Sequence, residues 1–310
     1  RGAAGRPRRG VMETGSSTRV AAVGRTDTGR RRSDNQDRYM ILGLDDGAPV
    51  RVGSEGGAGS ARVVEMDTWP GLALLVADGM GGRRGGARAS QIVVDVVTRE
   101  LTADALDGLD EDAFAGRLRS SLCDANRAIH EEAAGDASLE GMGTTATLVG
   151  VLGDTVYVAQ VGDSRAYLVR GGELLRLTRD QSLVQDMIDS GILDESEARS
   201  VPNNMLLQAL GVRSKVHPAV TVHSLRSGDV VLLCSDGLTQ MLDDAEIVAA
   251  IRENEDLGVL CDGLVAEANE RGGPDNVTAL AARYIGSEPE SAGTPEALAL
   301  RRWKRPRSVS

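Results

Sequence analysis

The stretch ATLVGVLGDTVYVAQVGDSRAYLVRGG, residues 146–172, reads as a succession of strands. Ala146–Val151, Thr155–Val161 and Ala166–Arg170 are short runs rich in Val, Leu, Thr and Tyr, residues that suit a pleated, buried surface. Gly153-Asp154 and Gly171-Gly172 are two-residue turn signals between such runs, so the three are expected to join in a meander. Outward on both sides the pattern repeats in Val20–Val23, Arg38–Leu44, Leu72–Ala77, Val220–Val222, Asp229–Cys234 and Val277–Tyr284, each bounded by Gly or Asp. The sheets are therefore expected to be mainly antiparallel.

Two helical patterns lie together between these blocks of strands. Gly86–Leu101 is the first, and Glu111–Ala134 the second, with Phe114, Leu118, Leu122, Ala125 and Ile129 on one face. They are expected to pair as an antiparallel hairpin over a sheet. A third, Leu257–Ala268, stops at Gly272-Gly273-Pro274. Helices grouped between runs of strands favour an α+β fold over an alternating Rossmann arrangement. Residues 1–17 and 287–310 lack apolar periodicity and read as disordered tails with basic ends, leaving one folded unit over residues 18–286. Asp45–Glu65, polar and Gly-rich, reads as a long loop.

Composition narrows the function classes. In 310 residues, 41% are hydrophobic and 26% charged, as in globular proteins, while aromatics at 2% leave few platforms for stacking bases. The net charge of −11 combines +4 in residues 1–10 and +5 in residues 300–310 with −20 between them, a body that repels nucleic acid and attracts cations. No apolar run approaches the roughly 18 residues that span a bilayer, and the basic Arg1–Gly10 has no apolar segment of a secretory signal. Cys123, Cys234 and Cys261 form no Cys-x-x-Cys pair, which fits a reducing compartment, so a cytoplasmic protein is expected.

Several chemistries are excluded by their missing parts. The glycines of Gly79–Gly86 lack the lysine of a phosphate-cradling P-loop, and His130-Glu131 has no second His four residues on. A cysteine phosphatase needs Arg six residues after its thiolate; here those positions hold Ile129, Gln240 and Glu267. Instead, aspartates sit at strand ends. Leu72–Ala77 runs into Asp78-Gly79, the Val230–Ser235 run into Asp236-Gly237 and Thr155–Gly162 into Asp163, while Asp37 and Asp275 precede strands. A carboxylate at the mouth of a buried strand is costly unless neutralised, and five such positions suggest a shared cation. Oxygen donors select hard ions, Mg²⁺ or Mn²⁺.

At this point a resemblance joins the residues. Residues 26–37 (TDTGRRRSDNQD), Ala77-Asp78-Gly79-Met80-Gly81-Gly82, Gly143-Thr144-Thr145, Val161-Gly162-Asp163-Ser164-Arg165, Ser235-Asp236-Gly237 and residues 272–278 (GGPDNVT) stand in the order and spacing of the type 2C metal-dependent Ser/Thr protein phosphatases, bacterial branch. The chain resembles that family over nearly the whole folded unit. The resemblance implies a four-layer α/β/β/α sandwich of two mainly antiparallel sheets, with two Mn²⁺ or Mg²⁺ ions, and a weaker third, at one end. It implies that Asp78 bridges the two metals, that Gly79 offers its carbonyl, and that Asp236 and Asp275 bind the first metal with Asp37 behind them. Asp163 resembles a ligand of the third metal, and Arg32 the arginine that grips phosphate.

Three positions depart from the family pattern. Gln36 stands where many relatives have a Glu ligand of the second metal, and its neutral amide would bind more weakly. Arg83 and Gln181 stand where His is common, which leaves the leaving-group acid unassigned. Leu183–Gly211 resembles the family's variable flap; its Asp194, Glu195 and Glu197 form either an acidic stretch facing substrate or a solvated helix face. The function implied is hydrolysis of phosphoserine and phosphothreonine in proteins by a metal-activated water, opposing a Ser/Thr kinase, by an enzyme expected to be a monomer. The alternative, motivated by Gln36, is a catalytically silent regulatory module that binds phosphoproteins.

Overall fold

The computed structural model describes residues 18–44, 63–67, 71–102, 110–198, 201, 205–286 and 301–302. The chain opens with β1 (Arg19–Asp27), β2 (Arg38–Gly43), β3 (Val64–Asp67), β4 (Leu72–Ala77) and the short β5 (Gly79–Met80). Two long helices follow, α1 (Gly82–Thr102) and α2 (Glu111–Gly135), then β6 (Gly143–Thr144), β7 (Ala146–Leu152), β8 (Thr155–Val161), β9 (Arg165–Arg170) and β10 (Glu173–Arg176). Short helices α3 (Leu183–Asp189) and α4 (Glu195–Ala198) precede β11 (Ala219–Ser224) and β12 (Val230–Cys234). Helices α5 (Asp236–Thr239), α6 (Asp244–Glu253) and α7 (Leu257–Glu270), then β13 (Val277–Ile285) and β14 (Arg301–Arg302), complete it.

Two six-stranded sheets run in the orders β10-β9-β12-β13-β1-β3 and β14-β11-β8-β7-β4-β2, and every strand pairing among the described residues is antiparallel. Strand β4 shows why the layers stack as they do. Its six residues are all apolar because the strand is covered on both faces: Leu72, Leu74 and Val76 point into the core between the sheets. Ala73, Leu75 and Ala77 point the other way, onto Val93 and Val97 of α1 and Leu118 and Leu122 of α2. On the outer face of the first sheet, Leu232, Cys234 and Ala279 pack against Leu260, Cys261 and Leu264 of α7. Helices, sheet, sheet and helices thus form the expected four layers, and each fully buried Leu contributes about 1.5–3 kcal/mol relative to exposure.

The expected meander is corrected. Strands β7 and β8 do form a hairpin across Gly153-Asp154, but β8 and β9 belong to different sheets. The chain crosses between the sheets at Gly162-Asp163-Ser164, where Gly162 has φ +103°, a left-handed conformation that favours glycine. Gly171-Gly172 instead joins β9 to β10, a strand whose Glu-Leu-Leu-Arg sequence has no β-branched residue to announce it. Within the expected Asp45–Glu65 loop, Val64 and Glu65 already belong to β3, which pairs with the start of β1; residues 45–62 lie outside the described residues. In the stretch read as a C-terminal tail, the backbone of Arg301–Arg302 pairs with Thr221–Val222 at the edge of the second sheet, and the first tail, residues 1–17, lies outside the described residues.

Candidate active site

The crossing and the strand ends bring the predicted aspartates to one end of the paired sheets. A cavity of about 400 Å³ there is lined by Arg32, Gln36, Asp78, Gly79, Asp163, Asp236 and Asp275. All of the predicted site residues except Asp37 line it. Asp37 is fully buried behind the wall, where its Oδ2 accepts hydrogen bonds from Ser235 Oγ at 2.7 Å and Thr278 Oγ1 at 2.6 Å. Ser235 Oγ also accepts from Thr278 N at 2.9 Å, tying the end of β12 to the start of β13.

Each side chain is held by local structure. Asp78 leaves β4 with its N–H donated to Thr145 Oγ1 at 3.0 Å and its carbonyl accepting from Thr145 N at 2.8 Å and Thr144 Oγ1 at 2.8 Å. Gly79 is a close approach: a Cβ there would lie 2.2 Å from Gly86 O and 2.8 Å from Gln36 O. Gln36 has its Oε1 packed onto Gly86 at the start of α1, while Ser90 Oγ donates to its carbonyl at 2.6 Å. Asp236 opens α5, and its Oδ2 accepts from Gln240 Nε2 at 2.6 Å.

Asn276 organises the arch that carries Arg32, Gln36 and Asp37. Its Nδ2 donates to Thr28 O and Asp34 O, both at 2.9 Å, and its Oδ1 accepts from Gln36 N at 2.8 Å. Asn276, Thr145, Ser235 and Thr278 lie within the sequence motifs, which by themselves assign them no role. The available signal was an amide or hydroxyl adjoining or near a strand-end aspartate.

Charge dominates this end of the molecule. Burial pushes the Asp163 carboxyl up to about 8, with Asp236 adding repulsion, and pushes Asp37 up to about 7 against the pull of Thr278 and Ser235. Asp78 lies well above the usual carboxylate range through burial and repulsion from Asp37, Asp236, Asp163 and Asp275. Asp236 is raised by burial and by Asp275, while a hydrogen bond with Asp78 opposes the rise. Arg32 is the one cationic side chain lining the cavity among the described residues, with Nη2 donating to Asp275 Oδ2 at 2.6 Å.

The donor set fits a hard dication. It is all oxygen, carries buried negative charge in excess of Arg32, and leaves Asp236 Oδ1 buried without a donor among the described residues. No three His, Cys, Asp or Glu side chains among the described residues converge as a closed ligand set; Asp275 engages Arg32 and Asp78 engages Asp236. Gln181 lies away from the cavity lining: its Oε1 accepts from Gly162 N at 2.9 Å and its N–H donates to Gly162 O at 2.9 Å, so it braces the crossing that presents Asp163. The side chain of Arg83 lies outside the described residues. On the flap, Asp194 Oδ1 accepts from Ser196 N and Glu197 N, both at 2.8 Å, and Glu197 Oε2 accepts from Asp194 N at 2.9 Å. These two acids close the N-terminus of α4, as a solvated helix does.

A two-sheet sandwich with an acidic, oxygen-lined cavity where its strands end is the frame of a metal-dependent hydrolase. The sequence profile of protein phosphatase 2C matches residues 60–262, and the chain belongs to that family. It is 34% identical over 260 residues to the serine/threonine phosphatase stp of Listeria monocytogenes, covering 83% of this chain and 92% of that protein. The serine/threonine phosphatase structure from S. agalactiae aligns with a TM-score of 0.74 at 32% identity, over 86% of this chain and all of that one. The catalytic domain of the phosphatase PstP, solved in complex with two manganese ions, aligns with a TM-score of 0.69 at 31% identity, over 87% of this chain and 100% of that one.

Proposed function

We propose that the protein hydrolyses phosphoserine and phosphothreonine in proteins with two Mn²⁺ or Mg²⁺ ions held at Asp78, Gly79, Asp236 and Asp275, and a weaker third at Asp163. The observation that carries this reading is that these strand-end carboxylates line one cavity, where Arg32 is the single cationic side chain among the described residues. Ions bound there would supply Lewis acidity and lower the pKa of a coordinated water. Membership of the phosphatase family and the manganese complex of PstP support the assignment.

The chain's own residues bind and orient. Arg32 stands at the cavity, more than half exposed, with Nη2 engaged by Asp275; a guanidinium has five N–H donors, and two can grip a phosphoryl group in parallel. The Asn276 clamp holds the arch so that Arg32 is presented at a defined place, which converts binding energy into orientation. Thr144 and Thr145 fix the backbone of Asp78, and Gln240 orients Asp236. Gln36 would offer a second metal an amide oxygen and no charge.

The reading includes a Ser/Thr kinase whose products this enzyme reverses, and a monomer acting in the cytoplasm. Its three free thiols support a reducing compartment; Cys234 and Cys261 are inert, pushed up to about 12 by burial. No helix among the described residues is long and apolar enough to cross a membrane. Turnover of a small aryl phosphate with and without Mn²⁺ tests the reading. Mn²⁺-dependent release of phosphate is expected, and an inert protein that still binds phosphoprotein would favour the silent module that Gln36 suggests.

A further inference from the structure

We propose that Gln181 is a positioning residue that sets Asp163 as a cation ligand and ties it to the limb of the flap that walls the catalytic cavity. This rests on the reading above of Asp163 as a ligand of the third ion. Gln181 is not itself among the residues that line that cavity, and it stands where the family pattern commonly has His, so its contacts carry the argument.

Asp163 is 6% exposed, and its neighbours in the chain are held on both sides. Before it, Gly162 lies flat against Thr145: a Cβ at Gly162 would come within 2.7 Å of Thr145 Cβ, and its φ of +103° favours glycine. Both polar groups of the Gly162 backbone are bonded to Gln181, whose Oε1 accepts from Gly162 N and whose N–H donates to Gly162 O, each at 2.9 Å. Gln160 Nε2 donates to the same carbonyl at 3.0 Å. After Asp163, Ser164 Oγ lies 2.7 Å from Thr145 Oγ1, and Ser164 O accepts from Thr147 Oγ1 at 2.6 Å. The freedom left to the Asp163 carboxylate is then chiefly that of its own side-chain torsions. A ligand held in this way takes up its ion with little ordering still to be done.

The same residue reaches the flap. Gln181 O accepts from Leu207 N at 2.7 Å, Ser182 bridges to Leu206, and Leu183 N donates to Met205 O at 2.9 Å. Leu206 lines the catalytic cavity together with Asp163, so one residue fixes the place of a cation ligand and of part of the wall beside it. Among the contacts of Gln181, the bond from Gly162 N to Oε1 is the one that a substitution removes while the backbone bonds stay. Gln160, Gln181 and Leu207 also line a second cavity of about 460 Å³, whose polar lining suits water. Water there can partner the Gly162 N–H once the amide is gone, so the fold survives while the crossing loosens.

The test uses the full chain and two readouts, hydrogen exchange at the Gly162 amide in metal-free protein and calorimetric titration with Mn²⁺. Gln181→Met keeps the length of the side chain and removes the acceptor; Gln181→His places Nε2 the same number of bonds from Cα and, neutral at pH 8, restores an acceptor. In Gln181→Met the Gly162 amide should exchange at least about tenfold faster, and the weakest Mn²⁺ site should lose about tenfold in affinity, the scale of losing a group that orients a metal ligand. The tighter sites should change by about twofold or less. Gln181→His at pH 8 should return both readouts to within about threefold of wild type. An unchanged weakest site in Gln181→Met, equal weakening of every site, or no recovery in Gln181→His would overturn the positioning role. Asp163→Asn should remove the weakest site; if that site persists, the assignment of Asp163 and the role of Gln181 fall together. Absence of phosphate release from a phosphothreonine peptide by wild type in Mn²⁺ would instead overturn the phosphatase reading, with exchange and titration still deciding what Gln181 does.

Discussion

Asn276→Leu should loosen the catalytic arch without removing any of the carboxylates. The side chain is 4% exposed and makes three hydrogen bonds of 2.8–2.9 Å, to Thr28 O, Asp34 O and Gln36 N, across 240 to 248 residues of sequence. At about 0.5–1.5 kcal/mol for each bond, and with buried backbone groups left unpartnered, the variant should lose about 2–4 kcal/mol of stability. Arg32 and Gln36 ride on the released arch, so KM for a phosphopeptide should rise and kcat/KM should fall about 10- to 100-fold. Asn276→Asp keeps the acceptor for Gln36 N but turns a carboxylate toward two carbonyls, and should cost more than Leu in metal-free protein. Urea unfolding and steady-state kinetics read both effects. Stability within about 0.5 kcal/mol of wild type together with normal kinetics would refute the clamp.

Other consequences follow from the same site. Asp78→Asn and Asp236→Asn should each lower kcat at least about a hundredfold, measured by phosphate release, with the fold retained by circular dichroism. Gln36→Glu should lower the Mn²⁺ concentration for half-maximal activity by about 3- to 10-fold, since a full charge replaces a dipole beside a dication; calorimetric titration checks it. In metal-free protein the Asp163 carboxyl lies at about 8, above its unfolded value, so the folded chain binds more protons than the unfolded chain between those values. Stability should therefore fall as pH rises from about 4 to 8 in EDTA, and Mn²⁺ should flatten or reverse that slope in calorimetric Tm.

Much of this was legible in the sequence because burial leaves a direct trace there. Leu72–Ala77 is uniformly apolar since it is covered on both faces, and the helical faces of Glu111–Ala134 and Leu257–Ala268 announce what they pack against. The strand-end aspartates were legible for the opposite reason, as charges where apolar runs end. The change of sheet at Gly162 was hidden, because a left-handed glycine before a strand looks like any turn, and partner choice is set by distant residues. Strands β3 and β10 were missed because four-residue strands give too short a pattern. The Asn276 clamp was hidden because its partners are backbone groups, which no side-chain pattern records.

The central claim is that the strand-end aspartates form a cation-dependent centre for hydrolysing phosphoproteins. Its most direct measurement is phosphate release from a phosphothreonine peptide across a Mn²⁺ titration, with wild type and Asp236→Asn in parallel and EDTA added at the end. Saturable Mn²⁺-dependent release by wild type, abolished by chelation and reduced at least about a hundredfold in the variant, is the result predicted. A rate indifferent to EDTA, or no release at any Mn²⁺ concentration while the folded protein still binds the metal, would contradict it.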